Sequence, residues 1–152
     1  MSGITVLVED PGWRKTRGLK TRLLRAAEAA LRAGGFKGKT SFTVLLSSDK
    51  KLKALNRDFR GRDKPTNVLS FPAARNKDGY RGDIAIAYGV SRKEAETSGK
   101  RFCDHASHLV VHGVLHLAGY DHEKPRDAQI MEPLETRILG RLGIGDPYKV
   151  GA

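Results

Sequence analysis

The stretch HGVLHLAGYDH, residues 112–122, places three histidines at fixed spacing around a glycine. His112 and His116 stand four residues apart, and this spacing puts two side chains on one face of an α-helix. Such a pair can direct two imidazole rings at one ion. Gly119 can adopt the left-handed conformation that ends a helix, after which the chain turns back and returns His122 towards the same point. We therefore predict a metal site whose ligands are His112, His116 and His122.

The two leading histidines belong to an apolar segment that we predict to be a buried helix over residues 102–118. At 100° per residue, His105 and His108 share the narrow stripe of the ligands. We expect His108 to line the pocket, support the ligands or orient a substrate or water, and His105 to be structural. Cys103 points to the opposite side, which excludes it as a fourth ligand. Three nitrogen ligands with a vacant fourth position are typical of catalytic zinc, whereas satisfied core histidines are the alternative.

The composition is strongly basic and indicates a polyanionic partner. The chain has 152 residues, 28 Lys and Arg against 17 Asp and Glu, and a formal net charge of +11. Nine of these cations lie in residues 14–39 and seven in residues 50–64, so the charge is segregated as a phosphate-facing surface requires. One cysteine excludes a disulfide framework, and neither a signal peptide nor a membrane span is recognisable. We expect one domain over residues 1–152, located in the cytoplasm.

Hydrophobic periodicity predicts an α+β fold, in which a mixed four-stranded sheet packs against about five helices and the zinc site lies on a buried central helix. The predicted strands are residues 4–9, 41–47, 67–71 and 82–88. The first two are separated by a helix, which predicts a parallel crossover, and the short gap between the last two permits an antiparallel pair. Ser91 and Glu94 have the spacing of a capping box for a helix ending at Gly99. We expect Pro133 to kink or restart the helix over residues 126–142.

The histidine spacing also matches the metzincin protease pattern H-E-x-x-H-x-x-G-x-x-H, with one difference. Gly113 replaces the glutamate that serves the protease as general base. Peptide hydrolysis needs a proton delivered to the leaving amine, so Gly113 counts against a protease. A zinc ion lowers the pKa of its bound water to about 7 without a partner base, and a phosphodiester gains more from a fixed cation. Arg60 lies in a basic segment with Arg57, Arg62 and Lys64 that can supply this cation or remain solvated.

Taken together, these stretches resemble the YbeY family of bacterial rRNA-maturation endoribonucleases. HGVLHLAGYDH matches the family's metal motif, LNRDFRGRDKPTNVLSFP (55–72) its second signature and GDIAI (82–86) its third. The spacing of Met131, Glu135 and Leu139 fits its final helix. The resemblance covers most of residues 45–142. Asn67 departs from it, since the family often has aspartate there, and this leaves a catalytic carboxylate at that position in question.

The resemblance implies a single-strand-preferring, metal-dependent endoribonuclease that acts in 16S rRNA 3′-end maturation and ribosome quality control. It implies one zinc ion on His112, His116 and His122, and it assigns the family's functional arginine to Arg60. Single-stranded RNA, the small ribosomal subunit and an Era-type GTPase are the implied partners. The proton carrier stays open among Asp121, Asp83, His108 or none, and the RNA 2′-hydroxyl is an alternative nucleophile. The competing hypotheses are a metalloprotease and a non-catalytic ribosome-assembly factor with a structural metal.

Overall fold

The computed structural model describes residues 3–121 and 123–149. Within these ranges it contains four strands and five α-helices, which confirms the α+β class with a mixed sheet. The strands are β1 Gly3–Val8, β2 Ser41–Ser47, β3 Val68–Pro72 and β4 Tyr80–Ala87, and the helices are α1 Leu19–Ala33, α2 Asp49–Arg60, α3 Tyr88–Ser98, α4 Phe102–Leu117 and α5 Pro125–Arg141. A 3₁₀ helix, Pro11–Arg14, follows β1. No helix among the described residues has the length and apolar character that crossing a membrane requires.

The sheet has the order β1-β2-β4-β3. β1 pairs with β2 and β2 with β4 in parallel, whereas β3 and β4 are antiparallel. Both predicted relationships, the parallel crossover through α1 and the antiparallel final pair, are confirmed. This order makes β2 and β4 the central strands, and burial on both faces explains why their sequences are rich in β-branched and other apolar residues.

Helix α4 packs against strands β3 and β4 and against the helices α1, α3 and α5. Ile84 and Ile86 of β4 point to the α4 side of the sheet and are fully buried in the same cluster as Val110, Val111 and Val114 of α4. The alternate residues Ala85 and Ala87 point to the opposite face, where Leu52 of α2 covers them. Contact with a sheet on one side and helices on the other explains why α4 is apolar nearly all round.

The helices α3, α2 and α5 show how the local predictions compare with the structure. α3 begins directly after β4, so Ala87 occupies the cap position and the Ser91–Glu94 capping box is wrong. Ser91 lies inside the helix and donates its hydroxyl to the Ala87 carbonyl. α2 extends to Arg60, so Arg57 and Arg60 of the basic segment lie on the last turn of a helix. α5 continues through Pro133 as one helix, so the restart is wrong, whereas the kink that was the other possibility stays a prediction.

Candidate metal centre

The C-terminal end of α4 has the predicted glycine-dependent geometry. Gly119 has a φ of 102°, which side-chain-bearing residues rarely adopt. The Tyr120 amide donates to the Leu115 carbonyl at 3.0 Å, and the Gly119 amide donates to the His116 carbonyl at 3.0 Å. This pair of bonds is a Schellman motif, and it turns the chain sharply away from the helix axis. His122, which completes the predicted ligand set, lies outside the described residues, and its role stays a prediction.

His112 and His116 point ring nitrogens at a common position. Their Nε2 atoms are 3.1 Å apart, and the ring planes are inclined at 74°. Two zinc–nitrogen bonds of about 2.05 Å at a tetrahedral angle would separate the nitrogens by about 3.3 Å. The pair therefore fits a single tetrahedral ion without a rearrangement of the helix.

Glu135 of α5 holds the other nitrogen of His112, and sequence reasoning did not identify this residue as part of the site. Its carboxylate is fully buried and accepts from His112 Nδ1 at 3.0 Å and from His108 Nε2 at 2.9 Å, while the Tyr148 hydroxyl donates to its second oxygen. Burial alone would raise the pKa of Glu135, but the two histidine hydrogen bonds lower it to about 2. Burial and the adjacent carboxylate raise the pKa of Tyr148, which keeps the phenol a donor. Glu135 is thus a buried, ionised acceptor.

These contacts give His112 two possible ways to take part in metal binding. His108, His112 and Glu135 could hold a metal ion, because one ligand atom from each lies within 4.8 Å of the others. In this arrangement the ion would replace the hydrogen bonds to the carboxylate. The alternative uses the other ring nitrogen of His112, together with His116. The carboxylate then orients His112, as carboxylates commonly do for metal-bound histidines.

A second histidine of α4 contacts a carboxylate, away from the His112–His116 pair. His105 Nε2 is 2.9 Å from Glu94 of α3, and this hydrogen bond lowers the pKa of the Glu94 carboxyl below its usual value. The Asn67 amide also donates to Glu94, at 3.1 Å. Asn67 therefore supplies a hydrogen-bond donor at a position where the family that the sequence resembles often has an aspartate. His105 joins α4 to α3, as a structural role requires.

A cleft of about 1060 Å³ exposes the histidines to solvent. His112 and His116 line one wall, and the cationic residues Arg60, Arg62 and Lys64 line another. Arg60 is the last residue of α2, and its guanidinium donates to the Ser70 carbonyl at 3.2 Å. This bond holds the guanidinium at the cleft, whereas Arg57 pairs with the neighbouring Asp58 at 3.0 Å. The predicted arginine and two predicted ligands thus share one cavity.

Gly113 faces the sheet at a point where no side chain fits. A Cβ placed on it would lie 2.6 Å from Cγ2 of Ile84 and 3.3 Å from the Ser70 hydroxyl. That hydroxyl is buried and donates to the Gly113 carbonyl at 3.0 Å, which gives Ser70 a structural role and not that of a nucleophile. The position that carries the base in the protease pattern is therefore directed into the core. A glutamate there could not reach a substrate without separating α4 from the sheet.

The two candidate aspartates lie in different surroundings. Asp121 lines the cleft and accepts from the Glu123 amide at 3.1 Å. Asp83 is in β4, where the Tyr80 hydroxyl donates to it, and it is absent from the described residues that line the cleft. The carboxylate bonded to the second nitrogen of His112 is that of Glu135.

Comparison with known proteins identifies the relationship of the whole chain. The family model described as Endoribonuclease YbeY matches residues 12–143. A protein named Endoribonuclease YbeY from Rhodopseudomonas palustris (strain ATCC BAA-98 / CGA009) is 49% identical over 150 residues, which cover 94% of this chain and 79% of the relative. Its namesake from Maricaulis maris (strain MCS10) is 42% identical over 149 residues, 97% of this chain and 92% of the relative.

A solved structure supports the same relationship at the level of the fold. The solution structure of TM1509 from Thermotoga maritima superposes with a TM-score of 0.56 at 29% sequence identity. The match covers 96% of this chain and 99% of the other. The similarity therefore extends over nearly the whole of the fold described above.

Proposed function

Because this chain belongs to the YbeY family of endoribonucleases, we propose that it cleaves single-stranded RNA at one zinc ion and acts in the maturation of ribosomal RNA. Membership of the family is established by the match over residues 12–143 and by relatives 42% and 49% identical over nearly all of the chain. The observation that carries the proposal is the cleft, where His112 and His116 converge opposite Arg60. A metal site facing a cationic wall suits a phosphodiester substrate.

We place the ion at the Nε2 atoms of His112 and His116, with His122 as the third ligand. The buried carboxylate of Glu135 already accepts from His108, His112 and Tyr148, so its oxygens are satisfied without a metal. A proton on Nδ1 of His112 directed at this carboxylate leaves the lone pair on Nε2, the atom that lies 3.1 Å from His116 Nε2. Zinc at this position would acidify water and draw negative charge from a phosphate.

Arg60 is the residue that we expect to bind the scissile phosphate. Its planar guanidinium can donate two parallel hydrogen bonds to phosphate oxygens, and the contact with the Ser70 carbonyl fixes it at the cleft. Arg62 and Lys64 add positive charge along the same wall. Among the described residues, four carboxylates line the cleft, those of Glu94, Asp121, Glu123 and Glu132. Asp121 precedes the third proposed ligand in sequence and is our candidate for moving the proton to the leaving oxygen, since His108 is bonded to Glu135.

Charge reversal at two arginines of one helix tests the role of the cationic wall. Arg60→Glu should abolish cleavage of an unstructured RNA by the zinc-loaded protein and leave the melting temperature unchanged. Arg57→Glu is the matched control, because Arg57 lies on the same last turn of α2 but does not line the cleft. It should retain cleavage within a few-fold of the unsubstituted protein. Full activity of Arg60→Glu would remove this arginine from the proposal.

Metal content tests the histidine assignment independently of activity. Elemental analysis should find one zinc per chain in the unsubstituted protein and in His105→Ala, and little or none in His116→Ala. Zinc retained at full occupancy by His116→Ala would contradict the placement of the ion. Zinc-loaded protein that binds RNA without cleaving it, in preparations free of contaminating nuclease, would leave a binding role in place of the enzymatic one.

The biological setting follows from the same proposal. We expect the protein to act in the cytoplasm on 16S rRNA near its 3′ end and in ribosome quality control, with the small ribosomal subunit and an Era-type GTPase as partners. Cosedimentation with purified small subunits, lost at high salt, would support the ribosomal contact. Cells that lack the protein should accumulate precursor rRNA with an extended 3′ end.

A further inference from the structure

A second cationic cavity lies next to the metal cleft. It has a volume of about 620 Å³, and its cationic lining residues are Lys37, Lys39, Arg75, Lys77 and Arg81. None of the carboxylate side chains in residues 3–121 and 123–149 lines it. We propose that this cavity, the basic groove, is a second phosphate-binding site that holds the RNA strand beyond the metal cleft. The inference rests on the proposed function, because it extends the site for the same substrate.

The groove brings together two segments that are distant in sequence. Lys37 and Lys39 lie between α1 and β2, whereas Arg75 and Lys77 lie between β3 and β4. The Ser41 amide donates to the Gly79 carbonyl at 3.0 Å, which joins the two segments. Their backbones touch so closely that a Cβ on Gly79 would lie 1.9 Å from the Lys39 carbonyl oxygen. Neutral backbone contacts therefore hold the like charges together.

Arg81 stabilises the basic groove through contacts with the segment that carries Lys37 and Lys39. Its guanidinium donates to the Lys37 carbonyl at 2.6 Å and to the Thr40 hydroxyl at 3.3 Å, and it lies 5.4 Å from the centre of the Phe36 ring. These contacts make Arg81 part of the framework. The other four cations of the groove are exposed and can meet a ligand.

The loop that carries Arg75 and Lys77 is fixed by the residue between them. The Asn76 side-chain amide donates to the Ala74 and Tyr80 carbonyls at 2.9 Å each. Its oxygen accepts from the Asp78 and Tyr80 amides at 3.1 and 3.0 Å. The backbone is therefore ordered before a ligand binds, which reduces the entropy lost on binding.

The position of the groove favours a strand of RNA over a separate anion. Pro72 lines both cavities, and the end of α4 divides them, since His116 and Gly119 line the cleft while Leu117 and Ala118 line the groove. A strand that leaves the metal cleft past the end of α4 can therefore enter the groove directly. Concentrated like charge without acidic partners costs stability unless a polyanion neutralises it. The half-buried rings of Phe36 and Tyr80 also give bases an apolar surface.

The salt dependence of RNA binding tests the groove through the double variant Arg75→Ser/Lys77→Ser. Two unstructured RNAs, of about 4 and about 16 nucleotides, bracket the usual site sizes of single-strand-binding proteins. Each phosphate contact on a single strand contributes about 0.7 to the slope of log K against log salt. For the long RNA, the double variant should therefore lower the magnitude of this slope by about 1.4. Binding and cleavage of the short RNA should stay at the level of the unsubstituted protein.

The control is Arg22→Ser/Arg25→Ser, which removes the same charge from exposed positions of α1 that line neither cavity. It should leave the slope of log K against log salt unchanged for both RNAs. Lys37→Ser/Lys39→Ser, a second groove variant, should lower the slope for the long RNA as Arg75→Ser/Lys77→Ser does. An unchanged slope for both groove variants, or an equal decrease in the control, would overturn the inference. An unsubstituted protein that cleaves neither RNA would instead refute the proposed function, and the slopes would still report on the groove.

Discussion

Replacing Gly113 by alanine tests whether contact with the sheet is what excludes a side chain from this position of α4. The new Cβ would lie 2.6 Å from Cγ2 of Ile84, about 1 Å inside the usual contact distance of roughly 3.5–4.0 Å. Ile84 is fully buried on a central strand, so it cannot swing aside. Overpacking of this kind costs about 1–3 kcal/mol, and the higher helix propensity of alanine offsets about 1 kcal/mol of it.

Gly140 provides the matched control, because it lies in the last turn of α5, is exposed and has no atom within 4 Å of the point that a Cβ would occupy. Gly140→Ala gains up to about 1 kcal/mol of helix propensity without the clash. The difference in unfolding free energy between the two variants therefore isolates the overpacking, about 1–3 kcal/mol. At about 2–4 °C per kcal/mol, Gly113→Ala should melt several degrees below Gly140→Ala.

Denaturant and thermal unfolding, both with chelator present so that metal binding does not contribute, measure this difference. The double variant Gly113→Ala/Ile84→Ala should lose less unfolding free energy than the two single variants lose together. The Ile84→Ala change removes both Ile84 atoms that the new Cβ meets. Equal stability of Gly113→Ala and Gly140→Ala would refute the packing argument. It would also reopen the possibility that position 113 can carry a general base.

Two further predictions concern the carboxylates that contact the histidines of α4. Glu135→Gln should weaken zinc affinity about 10–100-fold, measured by competition with a chromophoric chelator, because the carboxylate that orients His112 is lost; Glu94→Gln, which alters the equivalent bond to His105, should leave it unchanged. Asn67→Asp should destabilise the protein at neutral pH, since a carboxylate replaces the amide that donates to Glu94. Because the pKa of Glu94 in the folded protein is lower than its ordinary value of 4.5, the ionised carboxylate contributes stability at pH values above 4.5. This contribution is lost as the pH falls from 4.5 through the lowered pKa. Denaturant titrations at neutral pH and near pH 4 (about the ordinary carboxyl pKa) should therefore give a smaller difference between Asn67→Asp and the unsubstituted protein at the acid pH.

The parts of the fold and site that depend on local periodicity could be predicted from the sequence. The spacing of four residues is sufficient to bring His112 and His116 together, and a single glycine ends the helix after them. The sheet follows in the same way, since strand and helix signals alternate and the crossover rule fixes the direction of β2. These inferences need no knowledge of which elements touch.

The features that sequence reasoning missed depend on contacts between separate elements. Glu135 is one acidic residue within the buried stripe of α5, and only the packing of α5 on α4 reveals that it reaches His112. The available signal was an acidic residue on the apolar face of α5. A buried carboxylate requires hydrogen-bond donors, so its position on that face indicates polar partners on another element. The Ser91–Glu94 spacing misled for the same reason, since Glu94 is engaged by His105 and Asn67 from other elements.

Gly113 and Glu135 together explain why this helix retains a metal motif without the base of the protease pattern. One residue after His112, the helix lies against Ile84 and has no room for a side chain. On another side of His112, the buried carboxylate of Glu135 holds Nδ1 and directs Nε2 into the cleft. The hydrogen bond to Glu135 orients the ring, and the packing against Ile84 excludes a side chain from the position that carries the base in the protease pattern. Under the proposed function, a group from outside α4 would then assist the metal, and Arg60 at the end of α2 lines the same cleft.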